Sequence, residues 1–158
     1  MRKCLCGVMA AFLLVCLTGC KRDISAYEAS PIQIVGLTDE PFAVTPRELM
    51  ALKCTSATAR GNSDKAGTVN AYGPTLEALV IAYGHSLSEF RYVRFCASDG
   101  YDVTINQLVW DSYDVILSIA NGSKPLEVRQ QPLRVVIPGY DSGKWVRLVT
   151  QIEFAAKE

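Results

Sequence analysis

Apolar and polar side chains alternate most clearly near the C-terminus, where Leu133, Val135 and Ile137 are set against Arg134 and Val136. A period of two is the signature of a strand. Pro138-Gly139 closes that strand, because proline has no ladder donor and glycine permits a turn. Gly143 then opens a short segment carrying Lys144, Trp145 and Arg147. From residue 149 to 154 strand character resumes, with Ile152 and Phe154 on one face. Two strands therefore flank a loop with two cations, an indole and several chain breakers.

The rest of the chain yields to the same pattern. Ile32 and Ile34 share a face of a first strand over 31–37, and a short second strand follows at 42–44. Thr45-Pro46-Arg47-Glu48 predicts a helix start: a capping threonine, proline at the first helical position and a capping-box glutamate. Residues 53–60 form a strand of small side chains whose partner runs over 68–72. Leu76, Leu79, Val80 and Tyr83 recur at three and four residues and predict a core-facing helix stopped by Gly84. Strands over 92–97 and 101–105 flank the turn Ser98-Asp99-Gly100. Asn106 is placed to cap a helical turn to Trp110, and an apolar strand over 115–120 ends at Asn121-Gly122, a strong turn signal. The pattern is α+β, a mixed and largely antiparallel, barrel-like core with short helices.

The first residues do not share this pattern. Arg2 and Lys3 precede an apolar run from Val8 to Leu17, too short for a comfortable membrane span. Leu17-Thr18-Gly19-Cys20 fits a bacterial lipoprotein signal, in which the cysteine is acylated and becomes the mature N-terminus. The expected organisation is a signal over 1–19, a polar tether over 20–30 and a domain over 31–158. Cleavage before Cys20 leaves 139 of the 158 residues, with 14 basic and 16 acidic side chains. That length is one ordinary domain. The absence of a basic surplus argues against nucleic acid as a partner. The expected location is exported and lipid-anchored, facing the periplasm or the cell surface. Lys21 in place of aspartate favours the outer membrane. Of six cysteines, Cys20, Cys54 and Cys96 survive processing. In an oxidising compartment Cys54 and Cys96 can pair, closing a loop that would stabilise by about 3–4 kcal/mol; the alternative is two buried free thiols.

Residues 132–139, Pro-Leu-Arg-Val-Val-Ile-Pro-Gly, with Lys144-Trp145-Val146-Arg147 and the final strand, resemble the C-terminal signature of the oxidoreductase molybdopterin-binding domain, the sulfite oxidase-like fold. Arg147 stands where that family has lysine, and Leu148 where it has tryptophan. The opening strand with Gly36-Leu37-Thr38-Asp39-Glu40-Pro41, the Gly73-to-Leu76 entry into a leucine-rich helix, and Asp99-Gly100-Tyr101 are also similar to it.

The resemblance implies a thiolate that ligates molybdenum from the strand after the first helix. Cys54 is the only cysteine there, although it opens the strand whereas the family's ligand lies nearer the end. It is either that ligand or a core or disulfide residue. Lys144 and Arg147 fall where relatives contact the pterin or its phosphate, with Gly143 freeing backbone amides for an anion. Trp145 is either a stacking platform for a planar ligand or a core residue. His85 is the sole histidine, so a histidine metal site is excluded, and it reads as a surface residue. Two function classes remain. The favoured one is a membrane-anchored, non-catalytic module, without cofactor, that binds an anionic ligand or a protein partner. The alternative is a molybdopterin-dependent oxidoreductase or its cofactor-binding subunit.

Overall fold

The computed structural model describes residues 22–62 and 67–157, and the leader with Cys20 lies outside them. Its elements run β1 (Ile32–Val35), β2 (Phe42–Val44), α1 (Pro46–Met50), β3 (Cys54–Arg60), β4 (Thr68–Pro74), α2 (Leu76–Ala82), β5 (Phe90–Ala97), β6 (Asp102–Asn106), α3 (Gln107–Trp110), β7 (Ile116–Ser118), β8 (Ala120–Asn121), β9 (Lys124–Pro125), β10 (Arg134–Val136) and β11 (Val149–Ala156). The α+β pattern, largely antiparallel with short helices, holds.

One sheet has the order β2-β1-β11-β5-β6, in which only β1 and β11 pair in parallel. A second has the order β3-β4-β8-β9, and β10 pairs with β7 in a third. The backbone stitches the last two together: Ile119 N–H donates to the Tyr72 carbonyl at 2.8 Å, and Tyr72 N–H donates to the Ser118 hydroxyl at 3.1 Å. Most apolar positions read from the sequence fill one shared core; Tyr83, expected on the core face of α2, is its C-cap and is 39% exposed. Ile32, Ile34, Leu79, Phe95, Leu133, Val135, Ile137 and Ile152 are fully buried, each contributing about 1.5–3 kcal/mol by leaving water.

The helix signals act as expected. Thr45 and Glu48 close a capping box around α1, and Thr75 accepts from Ala78 N–H at the start of α2. Asn106 occupies the cap position of α3 but makes no capping bond.

The expected tether over residues 20–30 needs correction from Arg22 onwards. Ile24 and Tyr27 are buried against Leu126. The Tyr27 hydroxyl donates to the Ile119 carbonyl at 2.8 Å and accepts from Leu126 N–H at 2.9 Å. The Arg22 Nε donates to the Gly122 carbonyl at 2.7 Å, with its guanidinium 3.4 Å above the Tyr72 ring. Glu28 pairs with Arg47. One apolar side chain, Ile24, and the Tyr27 phenol thus convert a polar-looking stretch into part of the domain. Tyr27→Phe removes one hydroxyl but strands two buried backbone groups, so it is expected to cost about 1–3 kcal/mol. A urea midpoint unchanged from wild type would refute this role.

Candidate anion-binding site

The signature loop leaves β10 through Pro138-Gly139, where Gly139 takes φ +80° beside the Tyr113 ring. A 3-10 turn over Ser142–Lys144 follows. Asn62, just past the end of β3, clamps this turn from outside. Its side-chain amide donates to an Asp141 carboxylate oxygen at 3.1 Å and accepts from Ser142 N–H at 3.1 Å. Its own N–H donates to the Ser142 hydroxyl at 3.0 Å. Tyr101 adds a hydroxyl bond to the Gly143 carbonyl at 2.6 Å. The loop is therefore held from two separate hairpins.

That clamping changes the expected roles of the loop residues. The Gly143 N–H, expected to be open to an anion, already donates to the Asp141 carboxylate at 2.9 Å. A carboxylate at that point repels a second anion. Trp145 is 6% exposed and its indole N–H donates to the Ile137 carbonyl at 3.1 Å. It is a core residue, and no ring face is left for a planar ligand. Lys144 is half-buried and Arg147 exposed, and neither forms an ion pair among the described residues.

The residue that sequence reading missed is Arg134. It lies in β10 at 7% exposure, and its Nε has no hydrogen-bond partner among the described residues. Its guanidinium stands 5.8 Å from the Trp145 ring centroid. Burial pushes its pKa down, the nearby Arg147 charge pushes it further, and Glu127 opposes both. Backbone pairing explains the proximity: Val135 N–H donates to the Val146 carbonyl at 2.7 Å, which lays the Arg147 segment alongside β10. A buried guanidinium beside a second cation, with an orphan donor and Glu127 as the opposing charge, leaves a net cationic site with a free donor for an anion. The sign of it in the sequence was an arginine opening an otherwise apolar strand.

Cys54 belongs elsewhere. It is the first residue of β3, and Asn62 lies beyond the last. Six steps along a strand span about 20 Å, which separates Cys54 from the Asn62 clamp. Arg134 is connected to Cys54 more directly, since it pairs with Ser118, whose hydroxyl accepts from the N–H of Tyr72, and the Tyr72 side chain hydrogen-bonds Cys54. The Cys54 thiol donates weakly to the Leu49 and Met50 carbonyls, both at 3.8 Å. Burial pushes its pKa up, against a Tyr72 hydrogen bond and the Arg22 charge. It faces an open groove lined by Leu52, Thr75, Ala78 and Ile81. The bridge between Cys54 and Cys96 is not made: both are free thiols, and they sit on different sheets. His85 is a surface residue, contacting Glu89 at 2.9 Å.

These observations also test the fit of a molybdenum pterin. Arg134 and Arg147 suit its anionic portion. The metal fits poorly, because it needs a soft thiolate and burial keeps the Cys54 thiol protonated against the Leu49 and Met50 carbonyls. Where β3 reaches the loop the chain offers Ala59, Arg60, Gly61 and Asn62, and no cysteine occurs between Cys54 and Cys96. Among the described residues no group of three His, Cys, Asp or Glu side chains could hold a metal.

The chain belongs to the oxidoreductase molybdopterin binding domain family, whose sequence profile matches residues 22–158. The match begins at Arg22, the first of the described residues. Among solved structures, the sulfane dehydrogenase SoxCD from Paracoccus pantotrophus superimposes with a TM-score of 0.65 at 17% identity. The overlap covers 82% of this chain and 39% of that one. At that identity the likeness defines the shared fold. No curated protein matches this chain.

Proposed function

We propose that this protein is an exported, membrane-anchored module that binds an oxyanion between Arg134 and Arg147 and carries no molybdenum. The observation behind this reading is Arg134, a buried guanidinium with an unpartnered Nε among the described residues, beside Arg147 and opposed by Glu127 alone. Two arginines can grip a phosphate or carboxylate through parallel N–H bonds. The anchor follows from the Leu17-to-Cys20 motif behind an apolar run.

Calorimetric titration with inorganic phosphate and pyrophosphate tests the site. Wild-type protein is expected to bind one of them saturably. Removing one charge-assisted contact with Arg147→Ala is expected to weaken binding about ten- to a hundredfold. Equal binding by both proteins would place the anion elsewhere.

A further inference from the structure

The N-terminal segment is docked on the domain from Arg22 onward. Arg22 bonds the carbonyl of Gly122, in the turn between β8 and β9, and from there the chain is part of the fold through the buried Ile24 and Tyr27. Cys20 lies two residues before Arg22. With 3.8 Å between successive Cα atoms, the two Cα positions are at most about 7.6 Å apart. A flexible tether lets an anchored domain stand off and tumble; here there are only two peptide links.

We propose that the β8–β9 turn and its surroundings lie against the headgroup layer of the bilayer that holds the acyl chains of Cys20. This rests on acylation of Cys20 under the function proposed above. The occupant is a lipid surface because the chain between anchor and docked residue is too short to admit anything else. The exposed face suits it. Ser123, Lys124 and Pro125 are exposed, and Val128, 79% exposed, projects just past the buried Leu126. Lys124 and Arg129 offer cations to lipid phosphates, while Asp23 and Glu127 oppose them, so chain length rather than charge sets the orientation. Gly122 N–H bonds the Asn70 carbonyl at 2.6 Å, and Thr68 pairs with Arg60. The turn is therefore at the same end of its sheet as Asn62, and the clamp on the signature loop also faces the bilayer side.

The test uses the full chain made in a bacterium with a lipoprotein pathway and placed in phosphatidylcholine–phosphatidylglycerol nanodiscs. Mass spectrometry reads the mature N-terminus. Amide resonances are then compared with and without lipid carrying a nitroxide on its headgroup. The proposal expects an acylated Cys20 terminus and several-fold greater broadening at Gly122, Ser123, Lys124 and Val128 than at Leu108, an exposed residue of α3 at the edge of the other sheet. Inserting about ten Gly/Ser residues between Lys21 and Arg22 restores a flexible tether and is expected to erase that contrast. Uniform broadening in acylated protein without the insertion overturns the docked face and leaves acylation standing. A mature terminus without acyl mass overturns both.

Discussion

Gly73→Ala is expected to give no folded protein. A Cβ on Gly73 would lie 1.9 Å from the Leu117 carbonyl oxygen and 2.9 Å from its carbon. These are backbone atoms and no rotamer change relieves them. The Leu117 strand cannot withdraw, because Ile119 N–H and Ser118 Oγ both bond Tyr72, next to Gly73, while β10 holds β7 from the other side. The loss is expected to exceed about 4–5 kcal/mol, comparable with the whole stability of many domains. Gly84→Ala is the control. Gly84 has φ +81° with nothing within 4 Å of the added carbon, so the cost is backbone strain alone, about 1 kcal/mol. Soluble yield, circular dichroism and thermal midpoint read both variants. A well-folded Gly73→Ala protein would contradict the packing of β4 on β7.

Arg134→Met is expected to make the unliganded domain more stable and its anion site useless. Methionine keeps the apolar stem in a strand buried at all three positions and removes a charge whose Nε has no partner. Replacing buried charge with packed apolar atoms is often worth about 1–4 kcal/mol. The same change deletes the central donor of the site, so the phosphate titration is expected to go flat. Tm without ligand and binding heat should therefore move in opposite directions. A fall in both would mean that Arg134 supports the fold through contacts the orphan Nε does not reveal.

What could be read in the chain divides by the range of the interaction. The strand ahead of Pro138-Gly139, the Thr45 and Glu48 capping box and the Asn121-Gly122 turn are local, and each appears where its residues placed it. Arg134 was read past because alternate positions of a strand normally meet water, whereas β10 is covered on both faces. Asn62 gripping Asp141 spans 79 positions and has no local signal. The tether was misread because Ile24 and Tyr27 make no periodic pattern, and because the Tyr27 hydroxyl finds its acceptor 92 positions away. Trp145 stood open between stacking and burial until the Ile137 carbonyl decided it. Cys54 stayed open between metal ligand and core residue, because it lies on the expected strand but at its start; its thiol contacts to the Leu49 and Met50 carbonyls come from the turn after α1 and have no periodic signal.

Elemental analysis tests the central claim most directly. The full chain is made in a host with a complete molybdopterin pathway and metal is counted per polypeptide. Anion-holding arginines without a thiolate predict molybdenum far below stoichiometry, unchanged by Cys54→Ser. Near-stoichiometric molybdenum that disappears in Cys54→Ser would contradict the account and make the oxidoreductase the correct reading.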